Sequence, residues 1–467
     1  MKTLFFSISS SAVYRNLFFF PGSLFDELRR DLERSQDLRV VILLPPQFRE
    51  KYGPLVSSPD FHERLIVRTV ETSTKKNLLQ HAFYFLYSYL IFTGTTKIMA
   101  TMGTRPDEPP AGGKWYMAPV KRLIASTLGR ARFLKRIGVP YLWLLIFRGR
   151  PFGEYFDEYA PDAVFAPHIY GWFDTLLIAE ARRRGVRVVG MPAGWDHLDK
   201  YFLPFHADQL LVQSDQVRRM ALMHQAYDAS RISITGYPHF DFIAKKEYLV
   251  SRQETLARLG FPSHTRYLLY VSGSAYCPDE PEIIERILAW ADEGRFGPYD
   301  VRLVIRPYQG GRGKDREFDE QKFNRFAEHP RVVFYRREFW GDLESSVYFM
   351  NILCYADIVL SIYSTMILEA AVLDRPLMTI AFDGSHHRPY HRSLRRFEEF
   401  DHFREVLAYG AVHTARNFGQ LLEGVRAYLD DPGLDRDKRE RLRHEVCGPL
   451  DGQASRRVRD AIRESLL

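Results

Sequence analysis

The chain is expected to fold as two doubly wound α/β domains, and three observations predict it. Its 467 residues exceed what one ordinary core accommodates. Short apolar runs alternate with helical stretches of roughly ten to twenty residues, once up to about Asp241 and again from Phe261 onward. The third observation is the stretch Ala356–Gly384, which reads strand, polar turn, helix, strand. Ile358, Val359 and Leu360 make a buried strand; Ser364 and Thr365 are helix-capping types; Met366–Leu373 is apolar with Glu369 about one turn in. Asp374-Arg375-Pro376 stops that helix, and Leu377–Ile380 begins the next strand. A helix entered from such a turn offers free N–H groups and a positive dipole end to phosphate, and a carboxylate one turn in reaches a ribose hydroxyl. On these residues alone, an ordinary βαβ unit with a solvated Glu369 explains the pattern equally well.

Hydrophobic content of 46% and aromatic content of 14% describe a packed globular chain. Leu4–Ile8 is expected as a first buried strand rather than a secretory leader, because the basic region is one lysine and serines interrupt the apolar run. Leu38–Leu44 and Leu65–Val67 follow as strands, then an aromatic helix over Leu78–Phe92. Pro161–Ala166, Val186–Met191 and Asp208–Val212 are strands, with a helix ending at Ala181–Gly185 between the first two. A polar helix over Lys245–Gly260 is the expected linker. The second set comprises Tyr267–Val271, Val301–Ile305, Val332–Tyr335 and the stretch described above. Domain limits are expected at 1–244, with a basic helical insertion over 109–153, at 261–440, and at 441–467. No run of about twenty apolar residues is present. Cys277, Cys354 and Cys447 lie far apart, without zinc or disulfide spacing, which indicates a reducing compartment. The net charge of +7 points to an anionic partner.

Tyr363-Ser364-Thr365, Glu369-Ala370-Ala371 and Arg375-Pro376 together resemble the nucleotide-sugar segment of GT-B glycosyltransferases. Relatives of those enzymes include the non-hydrolysing UDP-N-acetylglucosamine 2-epimerases and the CDP-glycerol glycerophosphotransferases. Gly236-Tyr237-Pro238 with Asp241, and Gly452-Gln453-Ala454-Ser455 before a basic helix, resemble the end of the first GT-B domain and of the whole fold. The resemblance covers the chain from about Pro161 onward. It implies two Rossmann-like domains facing a cleft, with the C-terminal helix crossing back to the first. It also implies that Ser364 and Thr365 meet a donor pyrophosphate while Glu369 meets the ribose, with Tyr363 among the donor-binding residues.

Ser272-Gly273-Ser274 follows the first strand of the second half, where glycine permits close backbone approach to phosphate; a plain strand-to-helix loop is the alternative. Arg306-Pro307 stands where many relatives carry His-Pro. The arginine holds phosphate but shuttles no proton. Asp196 and His197 follow a first-domain strand and are the expected general-base pair, His197 titrating near pH 6.5 if unperturbed. The alternative is a histidine filling a buried loop. His168 and His239 also lie at strand ends, and His386 and His387 follow Phe382–Ser385. No metal-ligand spacing is visible, and no cofactor is expected beyond a nucleotide-activated donor as substrate. Pro109–Gly153 has no acidic residue but carries Lys114, Lys121, Arg122, Arg130, Arg132, Lys135, Arg136, Arg148 and Arg150 among aromatics and leucines. Such a surface suits an anionic membrane or a lipid-phosphate acceptor, and a packed helical pair with solvated arginines explains it equally well. Nucleic acid is not the expected partner, since no nucleic-acid module is recognised.

The function expected is therefore a metal-independent transferase moving a sugar or polyol phosphate from a nucleotide-sugar or CDP-polyol donor to a cell-surface glycan or lipid-linked acceptor. It would work in the cytoplasm, at or near the inner membrane face. A nucleotide-sugar epimerase of the same fold is the alternative, and it requires first-domain acidic residues that the sequence does not locate. A non-catalytic GT-B-like binding protein is the third reading, disfavoured by the intact Glu369.

Overall fold

The computed structural model describes residues 1–57, 61, 63–101, 115–310, 314–336 and 342–467. They form two compact units. The first comprises Met1–Thr93, Pro119–Lys245 and Gly448–Leu467; the second comprises Gly94–Ala118 and Lys246–Cys447.

The first unit is built on β1 (Lys2–Ser7), β2 (Leu38–Leu44), β3 (Leu65–Thr69), β4 (Ala163–Ala166), β5 (Arg187–Gly190), β6 (Gln209–Val212) and β7 (Ile232–Ile234). They form one sheet in the order β3-β2-β1-β4-β5-β6-β7, with every neighbouring pair parallel. Phe5, Phe6, Val164 and Phe165 are fully buried, as expected of strands covered on both faces. Val458 and Ile462 of the C-terminal helix Ala454–Ser465 share a core with Leu4, Phe6 and Val40. Asp241 accepts from the Ala454 and Ser455 amides at 2.9 and 2.8 Å, so a first-unit carboxylate caps the last helix. The helix Trp172–Arg184 ends on Gly185 at φ 69°, a left-handed cap that glycine adopts without strain.

The second unit contains β8 (Arg266–Val271), β9 (Val301–Arg306), β10 (Val332–Phe334), β11 (Ile358–Ser361), β12 (Leu377–Ile380) and β13 (Val412–Ala415), in the parallel order β10-β9-β8-β11-β12-β13. Asp357, just before β11, accepts from Arg252 and Arg266 at 2.9 Å each and ties the sheet to its flanks. Each sheet has one point where strand order reverses, between β1 and β4 and between β8 and β11.

Four local expectations change. The aromatic helix runs only Leu78–Ser88. The linker helix is replaced by two, Pro238–Lys245 and Arg252–Arg258, because Lys246 takes a positive φ of 57° and breaks the first. Gly94–Ala118 belongs to the second unit: the Gly94 amide donates to Asp401 at 3.1 Å, and Lys97 pairs with Glu399 at 2.6 Å. The helix Arg436–Val446 also stays with the second unit, where the fully buried Arg439 donates to Asp374 at 2.9 Å.

Candidate functional site

In a doubly wound sheet, ligands bind beyond the strand C-termini where strand order reverses. Both units place most of the candidate residues there.

In the second unit the loop Ser272–Cys277 after β8 lies beside Ile362–Thr365 after β11. A Cβ on Gly273 would come within 2.7 Å of Cys277 Sγ, so the loop folds back on itself this tightly because residue 273 is glycine, and the same position faces Ile362 Cδ1 across the gap at 3.4 Å. The Gly273 amide does not point to a free site, however. It donates to Glu280 Oε1 at 2.9 Å, and the Ser272 hydroxyl donates to Glu280 Oε2 at 3.1 Å. Glu280 also accepts from Tyr270 at 3.1 Å and pairs with Lys322 at 2.6 Å, both charged side chains being essentially inaccessible. Lys322 in turn donates to the Gly273 carbonyl at 3.0 Å and reaches those of Ser274 and Cys277 at 3.4 and 3.3 Å. Burial pushes the Glu280 carboxyl up and Lys322 draws it back. The pair therefore fixes the shape of the loop. Sequence reasoning missed it: Glu280 and Lys322 lie 42 residues apart, and no local spacing relates them.

Ser364 and Thr365 lead into the helix Met366–Val372, and the Ser364 hydroxyl accepts from the Met366 amide at 3.3 Å. Thr365 is exposed, and Glu369 is buried in the first turn. Burial and the adjacent Glu369 carboxylate push the Cys447 thiol well up. Tyr363 packs edge-on to Phe403 at 5.4 Å, and burial raises its phenol pKa, with Glu398 adding to the shift. Arg306 closes β9, and its carbonyl accepts from the Ser272 amide at 3.0 Å while its guanidinium lies 5.0 Å from the Phe349 ring. The loop after β12 is pinned nearby: Arg388 makes two 2.9 Å bonds to Asp279, and His386 reaches the same carboxylate at 3.4 Å. Ser272, Gly273, Ser274, Arg306, Tyr363, Ser364, Thr365 and Glu369 thus all lie in one unit, gathered about its β8–β11 edge.

In the first unit a chain of contacts joins residues that the sequence keeps far apart. Ser9, just beyond β1, shares a 3.0 Å hydrogen bond with His168 Nδ1, just beyond β4. Asp174, fully buried in the first turn of the following helix, accepts from the Ser7 hydroxyl at 2.7 Å and the His168 amide at 3.1 Å. Tyr170 lies 4.3 Å, ring to ring, from both His168 and His197, and its hydroxyl shares a 3.0 Å bond with His197 Nε2. Asp196 is 3.6 Å from His197 Nε2 and forms a close ion pair with Lys200. A Cβ on Gly194 would lie 2.7 Å from the His197 ring, so the turn must be glycine there.

Electrostatics separates these groups. Burial lowers His197 to about 4 against the smaller opposing pull of Asp196, so it does not titrate near 6.5 as its unperturbed value implies. Burial also lowers His168, while Asp174 works the other way. Both rings are neutral at pH 7. His239 falls to about 3 through burial, and its ring packs 4.4 Å from Phe240. A cavity of about 480 Å³ opens at this edge of the sheet, lined by Ser9, His168, Glu71, Gln47 and Trp172 among others; His197 and Asp196 do not line it. Sequence reasoning missed Ser9, Tyr170 and Asp174. Asp174 had a signal, as an acidic residue in the first turn of a helix six residues after a strand-end histidine.

Within Pro109–Gly153, residues 109–114, including Lys114, lie outside the described residues. Lys121 and Lys135 are buried, Lys135 donating to the His224 carbonyl at 2.8 Å, and burial lowers it to about 8. Arg136 binds both oxygens of Asp228, and Arg150 pairs with Glu180. Part of the basic stretch therefore serves packing. Among the described residues, no group of three or more His, Cys, Asp or Glu is placed to hold a metal ion, and no helix is long and apolar enough to cross a membrane.

Two parallel doubly wound sheets, with a last helix that returns to the first, define the GT-B fold. Solved structures sharing it include a Listeria monocytogenes protein assigned as UDP-N-acetylglucosamine 2-epimerase, at 14% identity and TM-score 0.54, covering 99% of this chain and 96% of that one. Staphylococcus aureus MnaA in complex with UDP matches at 15% identity and TM-score 0.52, covering 100% and 97%. A glycosyltransferase from Rickettsia africae matches at 10% identity and TM-score 0.51, covering 100% and 98%. At such identities the likeness establishes the fold. Residues 323–464 match the model of the CDP-Glycerol:Poly(glycerophosphate) glycerophosphotransferase family. No curated protein matches the chain.

Proposed function

We propose that the protein is a GT-B transferase that moves a sugar or polyol phosphate from a nucleotide-activated donor to a hydroxyl of a cell-surface glycan or its lipid-linked precursor. The observation that carries this reading is the glycerophosphotransferase-family match over residues 323–464, which contains Ser364, Thr365 and the buried Glu369. In this reading Glu369 accepts from the donor ribose, and Ser364 and Thr365 meet its pyrophosphate. Arg306 offsets charge on the departing phosphate, with no metal required. The acceptor enters the cavity lined by Ser9 and His168. Neutral His168, held through Ser9 and its Asp174-bound backbone, takes the hydroxyl proton as the acceptor oxygen forms its new bond. With a nucleotide-sugar donor the anomeric C–O bond breaks and a nucleoside diphosphate departs. With a CDP-polyol the anhydride P–O bond breaks and CMP departs. Asp196 and His197 support this centre through Tyr170.

The test is calorimetric titration with CDP-, UDP- and GDP-linked donors, followed by transfer assays in the presence of EDTA, reading whether CMP or a diphosphate accumulates. Binding of one donor class and acceptor-dependent release of its nucleotide, unchanged by EDTA, is the expected result. Absence of any nucleotide binding would overturn the reading. A second reading, a nucleotide-sugar epimerase, is favoured by one observation: Asp174 and Asp196 both lie in the His168–His197 cluster. Conversion of the donor without any acceptor would establish it instead.

A further inference from the structure

A second cavity, of about 710 Å³, lies in the first unit and is lined by Arg132, Arg136, Arg182 and Arg231 together with Phe133 and Tyr141 among its apolar walls. Arg231 directly precedes β7, and Arg182 is near the end of the helix that returns from β4. In a parallel sheet both positions belong to the strand N-terminal edge, opposite the edge that carries Ser9 and His168. Arg132 and Arg136 share Asp228, and Arg182 pairs with Asp208. Four guanidinium groups thus meet two carboxylates, and the surplus is positive. Burial first, then Arg136, Arg231 and Arg182, lowers His206 in the cavity wall to about 4, so three of these cations are felt at one ring.

The apolar wall of the cavity is part of an exposed ridge. Phe133, at the entrance to the helical stretch Leu134–Ile146, and Ile137, Tyr141 and Leu145 within it recur every four residues and are 70, 55, 62 and 48% exposed. The opposite face carries Val139 and Trp143, which are buried. From residue 115 to 153 the sequence has no carboxylate. A soluble anion would engage the arginines and leave the ridge in water; an apolar protein partner would cover the ridge and strand the charge. An anionic bilayer satisfies both, with headgroup phosphates at the guanidinium groups and the aromatic ridge in the acyl boundary.

We propose that the first unit docks on an anionic phospholipid bilayer through this arginine-lined cavity and the Phe133–Leu145 ridge. Docking at the strand N-terminal edge leaves the His168 cavity clear of the membrane contact. The inference concerns the first unit alone, and docking in this orientation favours the glycan acceptor over the lipid-linked one in the reaction proposed above.

Co-sedimentation of the full chain with vesicles tests it. The wild type pellets with phosphatidylcholine–phosphatidylglycerol vesicles at low salt, pellets less at high salt, and stays in solution with phosphatidylcholine alone. Phe133→Ser/Ile137→Ser/Tyr141→Ser and, separately, Arg132→Glu/Arg231→Glu each lower vesicle affinity at least about tenfold with circular dichroism unchanged. If the serine variant misfolds, the glutamate variant decides alone, because Arg132 and Arg231 are exposed. The proposal is overturned if the wild type stays soluble with anionic vesicles at low salt, or if it binds neutral vesicles equally well. Wild-type vesicle affinity in the folded variants also overturns it. So does a thermal shift with inorganic phosphate without vesicle binding, which makes the site one for free anions. Concentration-dependent dimerisation that the serine variant abolishes, without vesicle binding, would show that a second copy covers the ridge.

Discussion

In the first unit, the loops after β1, β4 and β5 meet through neutral hydrogen-bonding groups: Ser9 after β1 to His168 after β4, and Tyr170 after β4 to His197 after β5. In the second, the topologically equivalent loop after β8 is closed by a fully buried ion pair, Glu280 with Lys322, which takes up the Ser272 hydroxyl and the Gly273 amide. The same strand reversal thus carries two kinds of chemistry. A neutral imidazole beside a cavity, as His168 is, can accept a proton at pH 7. A buried ion pair cannot be spared for a ligand without exposing one charge, so it holds backbone shape. The β8 loop is therefore a fixed frame, whereas the side chains proposed to react gather in the first unit.

The largest effect expected falls on that frame. Lys322→Met leaves the Glu280 carboxylate buried without its cation and should cost about 3–5 kcal/mol of second-unit stability in urea denaturation. Asp174→Asn in the first unit keeps its shape and should cost less, about 1–3 kcal/mol. Equal costs would erase the contrast between frame and reactive cluster.

Turnover reads the reactive side. His168→Ala should lower transfer about 10²–10⁴-fold while donor affinity stays put, and His197→Ala should cost less because Tyr170 already engages its Nε2. A larger loss in His197→Ala than in His168→Ala would exchange their roles.

Acid should separate the two units next. His197 and His206 are lowered to about 4 and His239 to about 3, each first by burial, and all three belong to the first unit. An unfolded histidine binds its proton near pH 6.5, so between about pH 6.5 and 4 the unfolded state holds more protons than the folded one. First-unit stability should therefore be full above about pH 6.5 and fall as the pH drops toward 4, each ring contributing on the order of 2–3 kcal/mol. Hydrogen exchange at pH 7 and pH 5 would read this unit by unit; earlier loss of protection in the second unit would contradict it. The smallest effect is on the donor side: Glu369→Ala should weaken nucleotide binding by about 1.5–3 kcal/mol in calorimetry, with the first-unit pH response unchanged.

Local pattern alone determined much of this protein. β-branched and aromatic runs placed the strands, Gly185 marked a helix end, and the spacing of Ser364, Thr365 and Glu369 put a carboxylate one turn into a helix. These follow from the period of a helix or strand, which a few neighbouring residues fix. The tertiary structure decided what pairs across distance. Sheet order puts β4 beside β1, and so brings His168 to Ser9 across 159 residues. It also decided orientation within one stretch: Lys135 turns inward to the His224 carbonyl while Phe133, two residues away, faces outward. Composition had marked that stretch as basic and apolar without saying which part met solvent. Burial then set the charge states, taking His197 to about 4. Desolvation depends on every atom packed around the ring, and those atoms come from segments that no local window contains.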